Sequence, residues 1–304
     1  MHDSEKPLIH VSIIGCGDIG SRICSELLNT YKSSAIQLSA YSRNRDSLRK
    51  LSLPGEAINT EQLDLDNPCD SFSDKFNRHY VFYLAPPPSN GQTDSRIRNW
   101  LASLDKNKLP KRILYISTTG VYGDHQGNRV TENTPINPQA DRAKRRLDAE
   151  QALHDFSREN KIEFVILRVS GIYGKERLPL KRIKDQLPIL SPELAPMTNR
   201  IHEDDLVQIC ITAMFKAKST EIYNVSDGDK LNMSDYFIKV AQHSNLPVPP
   251  IIDWQQAEST LSKGMLSYLK ESRFIDNSKM LKDLRIKLAY PSISDFFSLY
   301  SNNK

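Results

Sequence analysis

The stretch Val11–Leu28, VSIIGCGDIGSRICSELL, decides the fold. It continues an apolar run, Ile9–Ile14, of the length and β-branched content of a buried strand. Gly15-Cys16-Gly17-Asp18-Ile19-Gly20 follows at once and spells G-x-G-x-x-G. Ile19, Ile23 and Leu27 then recur every four residues, as on the buried face of a helix. In a strand–turn–helix unit the first glycine permits the tight turn and the second lets the backbone approach a pyrophosphate. The third lets helix and strand pack closely. The helix N-terminus adds unpaired N–H groups and a positive dipole end for the phosphates.

Working outward, strand and helix patterns alternate. Strands are expected at Ile36–Tyr41, weakly within Ala57–Leu65, and at His79–Ala85, Arg112–Ser117 and Phe164–Val169. Helices are expected at Asp46–Leu51, Arg96–Leu104 and from Pro138 to about Asn160, with Pro138 in the first turn. This order implies an α/β fold, a doubly wound parallel sheet with helices on both faces. After Gly174 the pattern changes, with four prolines in residues 175–200. Helices then read at Asp204–Lys216 and Ser234–His243, and a strand at Glu221–Val225. Residues 1–174 are expected to form a dinucleotide-binding domain and 175–304 a smaller domain, with 221–226 returning to the sheet.

Composition narrows the class. The 304 residues are 38% hydrophobic and 26% charged, with 41 basic against 37 acidic side chains. That balance, spread along the chain, does not argue for a nucleic-acid binder, where a dense basic stripe is expected. No apolar run approaches a membrane span, and MHDSEKPLIH lacks the apolar core of a secretory leader. Cys16, Cys24, Cys69 and Cys210 show no CxxC spacing, the usage of a reduced, cytoplasmic protein. Cys16 reads as a small residue in a tight turn. No cluster of His, Cys or carboxylates has metal-ligand spacing.

NAD sites place a carboxylate at the end of the second strand, about 20 residues after the glycines, for the ribose 2′-OH. Here that strand ends Ala40-Tyr41-Ser42-Arg43-Asn44-Arg45, with hydroxyls and two guanidinium groups instead. Arginine suits bidentate phosphate recognition. The expected cofactor is therefore NADP rather than NAD, with Ser42 and Arg43 at its 2′-phosphate.

Several stretches together resemble the extended short-chain dehydrogenases, the group that contains nucleotide-sugar epimerases and dehydratases. They are ISTTGVYGD (Ile116–Asp124), TENTPINPQADRAKRRLDAE (Thr131–Glu150), ILRVSGIYG (Ile166–Gly174), RIHEDDLVQI (Arg200–Ile209) and IYNVSDG (Ile222–Gly228). The resemblance implies a Rossmann domain, a small C-terminal substrate domain, a cleft between them, and a homodimer formed through the helix that carries Arg142. It places cofactor contacts at Gly15, Gly17, Asp18, Ile19, Gly20, Ser42, Arg43, Asp64, Leu65, Ala85, Pro86 and Arg146.

The family's catalytic signature is Ser or Thr followed by Tyr-x-x-x-Lys. Thr118 matches the hydroxyl, but Arg142 stands where the tyrosine belongs and Arg146 where the lysine belongs. The i, i+4 spacing survives, whereas arginine stays protonated and cannot shuttle a proton near neutral pH. Tyr122 and Tyr173 are the candidate replacement acid–bases, with cationic neighbours such as Arg142 and Lys144 lowering a phenol's pKa. The alternative is that both pack under the cleft and hydrogen-bond backbone. Tyr173, Arg177 and Lys181 are the candidate contacts for a phosphate-bearing small-molecule substrate, against a solvated surface. Asp204 reads as a helix N-cap rather than a ligand. Two functional classes follow: an NADP-dependent oxidoreductase or epimerase on a sugar-like or nucleotide-linked substrate, and a non-catalytic NADP sensor.

Overall fold

The structure, a computed structural model, describes residues 8–32, 34–49, 51, 58–67 and 74–301, without the side chains of 300 and 301. Cys69, Ala57, Lys50 and residues 1–7 fall outside the described residues. Seven strands form the main sheet: β1 (Ile9–Ile14), β2 (Ile36–Ser42), β3 (Ile58–Gln62), β4 (Tyr80–Tyr83), β5 (Arg112–Thr118), β6 (Glu163–Val169) and β7 (Glu221–Val225). Their order is β7-β6-β5-β4-β1-β2-β3. β1 pairs in parallel with both β2 and β4, β2 with β3, and β4 with β5. The order therefore reverses between β1 and β4, the switch point at which doubly wound sheets open a crevice beyond the carboxyl ends of their strands.

The sequence explains these elements. Val11, Ser12, Ile13 and Ile14 are fully buried, as on a central strand covered on both faces. β3 reads INTEQ with two half-buried and three exposed or polar positions, because it is the sheet edge; its weak hydrophobic signal follows from that place. The helices flanking the sheet are α1 (Asp18–Thr30), α2 (Arg45–Arg49), α3 (Ser95–Ala102), α4 (Asp141–Asn160) and α5 (Glu203–Lys216). α1 buries Ile19, Gly20, Ile23, Cys24 and Leu27, one face at a spacing of four. The side chain of Asp94 caps α3 by accepting from the N–H groups of Arg96 and Ile97. α4 begins at Asp141, three residues beyond Pro138, because the Asn137 N–H is held in a loop by the Val121 carbonyl at 3.0 Å.

The chain divides into two compact units. The first takes the described residues of Met1–Thr118, Asp141–Arg168 and Val207–Tyr223. Tyr83, Trp100, Tyr115, Leu153 and Phe164 lie in its core between sheet and helices. A buried network ties α4 to the strands beside it. Glu150 accepts from Ser117 Oγ at 2.5 Å and pairs with Arg168 at 2.7 Å, both charged side chains being 6% exposed.

The second unit takes Thr119–Ala140, Val169–Leu206 and the described residues of Asn224–Lys304. Its core gathers Tyr173, Ile183, Tyr236, Phe237, Val240 and Phe296. Two-residue and three-residue strand pairs replace the long sheet, such as Gly171–Tyr173 alongside Arg200–His202. Helix α6 (Met233–His243) is capped by Asn232, which accepts from the Asp235 N–H. Among the described residues no helix is long and apolar enough to cross a membrane.

Candidate functional site

At the switch point, in the first unit, lies a cavity of about 230 Å³. Ile14, Gly15 and Gly17 at the end of β1 form one wall, and Tyr41, Ser42, Arg43 and Asn44 after β2 form a second. Leu63, Asp64 and Leu65 after β3, Ala85 and Pro86 after β4, and Arg96 from α3 complete it.

The three glycines differ in what a side chain would meet. Gly15 has φ +84°, and a Cβ there would run into the backbone of Ala85. Only glycine combines that dihedral with that approach of two strand ends. A Cβ on Gly17 would meet nothing within 4 Å, so its backbone faces open space. One on Gly20 would press on Ile13 at 3.1 Å and on the Cys16 sulfur at 3.2 Å, which is the close packing of helix on strand. Cys16 itself is buried in the turn. Gly17 caps α1 without a side-chain hydrogen bond, and a helix N-terminus of this kind suits an anion. These residues fit a dinucleotide: an open glycine backbone for the pyrophosphate, apolar walls for an adenine ring, and Ser42 and Asp64 as polar rim. NAD or a relative would be held there.

Eight of the residues expected at the cofactor, Gly15, Gly17, Ser42, Arg43, Asp64, Leu65, Ala85 and Pro86, meet in this one cavity. Asp18 pairs with Arg22 at 3.0 Å on the outer face of α1, and Ile19 and Gly20 turn into the core. The two arginines after β2 are engaged. Arg43 Nη1 donates to Asp66 at 2.8 Å, and Arg45 Nε donates to Gln62 at 2.6 Å. Asp66 also receives Arg96 Nε at 2.5 Å and Nη2 at 2.9 Å. The hydrogen bonds and charge of Arg96, with the charge of Arg43, hold its carboxyl below the usual carboxylate range. Sequence reasoning missed Asp66 and Arg96. Asp66 lies 23 residues beyond Arg43, on another loop, where no local spacing rule points to it.

The expected catalytic residues take different places. Thr118 closes β5 and is half-buried. Arg142 is half-buried in the first turn of α4. Arg146, one turn on, donates from Nη1 to the Tyr115 hydroxyl at 3.1 Å and to the Ile116 carbonyl at 2.9 Å. Burial pushes the Tyr115 phenol up, out of reach of neutral-pH titration. Lys144 lies 3.8 Å from Asp141.

Tyr122, in the second unit, is fully buried and donates its hydroxyl to Asn224 Oδ1 at 2.7 Å. This is the packed arrangement, not an open phenol beside a substrate. Tyr173 is also fully buried, and burial, followed by the charges of Asp227 and Asp205, drives its hydroxyl pKa upward. Arg177 pairs with Glu203 at 3.1 Å, and Lys181, 89% exposed, with Asp185 at 2.6 Å. Both cations thus have carboxylate partners within the second unit. Asp204 is not the cap of α5. The helix starts at Glu203, and the His202 Nδ1 accepts from the Asp204 N–H at 3.2 Å, the role a neutral imidazole can fill. Among the described residues no three His, Cys, Asp or Glu come together as a metal site.

Comparison with known proteins places this geometry. "Protein YeeZ" of Escherichia coli (strain K12) is 22% identical over 287 residues, covering 92% of this chain and 96% of its own. UDP-glucuronic acid 4-epimerase from Bacillus cereus, solved in complex with NAD, superposes with a TM-score of 0.75 at 18% identity, covering 95% and 96% of the two chains. The dTDP-glucose 4,6-dehydratase of Bacillus anthracis str. Ames, also in complex with NAD, gives 0.73 at 16% identity, covering 98% and 97%. At such identities the two structures show a shared fold.

They also correct the expectation of NADP: both of these fold relatives, and MoeE5 solved with UDP-glucose, are in complex with NAD. The physical reason lies in Arg43 and Arg45, whose guanidinium groups are matched by Asp66 and Gln62. The absence of a carboxylate from the end of β2 did not leave Arg43 open, since Asp66 reaches it from the next loop. Residues 11–226 match the model of the NAD dependent epimerase/dehydratase family, and the chain belongs to that family.

Proposed function

We propose that this chain is an NAD-dependent oxidoreductase or epimerase acting on a hydroxyl-bearing, nucleotide-linked substrate. The observation that carries the reading is the switch-point cavity, where an open Gly17 backbone and an uncapped α1 face a rim of Ser42 and Asp64. The nucleotide-linked substrate is supported by fold relatives described in complex with UDP-glucuronic acid or UDP-glucose. NAD, when bound, supplies a hydride acceptor. The chain's own contribution departs from the family pattern. Arg142 brings fixed positive charge and N–H donors that would hold the substrate oxygen as an alkoxide, and because arginine takes no proton the hydroxyl proton leaves to solvent water. Arg146 is drawn back onto β5 and serves to hold that strand end.

The second reading is a protein that binds NAD without turning it over, and the bonding of Arg146 to Tyr115 and Ile116 favours it. NADH deuterated at C4, incubated with the protein and the oxidised form of UDP-glucose, UDP-glucuronic acid or dTDP-glucose, separates the two. Deuterium in the sugar, seen by mass spectrometry, supports the enzyme. Tight NADH binding with no transfer to any of the three supports the sensor.

A further inference from the structure

Arg43, Arg96, Asp64 and Asp66 surround one end of the cavity, two cations against two anions. Arg43, Arg96 and Asp64 line it; Asp66 does not, but bridges two residues that do. The bridge is asymmetric. Arg96 is 15% exposed and keeps two further acceptors, the carbonyls of Pro86 at 2.9 Å and Pro87 at 3.2 Å. Arg43 is 63% exposed, and Asp66 is the acceptor of its guanidinium. Loss of Asp66 would leave Arg96 in place and release Arg43. The same loop is pinned independently, since Asn99 Nδ2 donates to the Leu65 carbonyl at 3.0 Å.

We infer that Asp66 sets the dinucleotide preference of this cavity: it holds and neutralises Arg43, which lines the cavity, so that a 2′-phosphate is excluded and a 2′-hydroxyl accepted. The inference rests on the NAD reading of the cavity. A 2′-phosphate brings nearly two negative charges, and the rim of two arginines and two aspartates offers no net charge to meet them. An exposed ion pair is weak alone, so exclusion comes as much from the fixed carboxylate within 3 Å of the guanidinium as from the bond between them. Asp66 therefore acts from the β3–β4 connection through Arg43, where an acidic residue at the end of β2 would touch the ribose itself.

The test is calorimetric titration of NAD and NADP into four proteins: wild type, Asp66→Asn, Asp66→Asn with Arg43→Gln, and Arg43→Gln alone. Wild type is expected to favour NAD at least tenfold. Asp66→Asn should reduce that ratio at least tenfold by gaining NADP affinity, and the added Arg43→Gln should cancel the gain. Arg43→Gln alone, which leaves the Asp66–Arg96 fork intact, should keep the ratio within threefold. A wild type that binds NAD while Asp66→Asn leaves the ratio unchanged overturns the inference and spares the NAD reading. Should Asp66→Asn not fold, a stronger NAD preference in Arg43→Gln alone overturns it by itself, because Arg43 would then already face the 2′ position. Failure of every protein to bind either dinucleotide overturns both.

Discussion

Arg146 stands over Tyr115, its Nη1 3.1 Å from the phenol oxygen and its guanidinium carbon 5.6 Å from the ring centroid. The residue at the position of a family lysine thus satisfies a buried hydroxyl that would otherwise lack a donor. Arg146→Met keeps most of the packing volume and removes that bond. Leaving a buried polar group unpaired costs about 1–3 kcal/mol, so urea unfolding should show a loss of that size. A change below about 0.3 kcal/mol would mean that Arg146 is free for another partner.

Glu150 and Arg168 form a buried pair with Ser117 attached. Removing one partner of such a pair costs about 3–5 kcal/mol, whereas replacing both by apolar groups can be nearly neutral. Glu150→Leu and Arg168→Met singly should each destabilise by that amount, and the double variant by less than their sum. Additive losses in a double-mutant cycle would show that the two charges do not depend on each other.

Tyr122 donates to Asn224 inside the second unit. Tyr122→Phe is expected to cost about 1–2 kcal/mol of stability through the unpaired amide oxygen and to leave hydride exchange, where present, within a factor of about three, well short of the 10²–10⁴ of a lost acid–base group. Loss of exchange with unchanged stability would make the phenol catalytic after all.

How much of this was legible in the sequence depended on range. The opening G-x-G-x-x-G carries its meaning within six residues, the wall at Ser42 follows from the end of β2, and those at Asp64 and Ala85 came only with the family resemblance. β3 was nearly invisible, since an edge strand written INTEQ needs no apolar alternation. Asp66 and Arg96 were missed because their bond spans 30 residues and joins a loop to a helix. The Ser117–Glu150–Arg168 network spans three elements and was equally hidden. Arg142 and Arg146 were visible as departures, but only the fold shows that Arg146 points back to β5.

His79 accepts or donates at 2.8 Å to Ser12 Oγ and stacks on His10, with ring centroids 5.1 Å apart. Burial first, and the neighbouring His10 second, lower its pKa to about 4 from 6.5. The unfolded state therefore binds the proton more readily, and stability rises with pH across that window. The contribution is complete above about pH 6.5 and is lost as pH falls toward 4; partial exposure of the ring reduces its size. His79→Gln should flatten the denaturation midpoint between pH 4 and 6.5 relative to wild type. A parallel shift of the whole curve would contradict this assignment.

The central claim is that NAD occupies the switch-point cavity over the open face of Gly17. Calorimetric titration of NAD into wild type and Gly17→Val tests it most directly. A Cβ at Gly17 meets nothing in the protein, so the variant should fold while its branched side chain fills the space of the pyrophosphate. The account predicts one NAD per chain in wild type and an affinity at least tenfold weaker, about 1.4 kcal/mol, in the variant. Equal NAD binding by a folded Gly17→Val, or none by wild type, would contradict it.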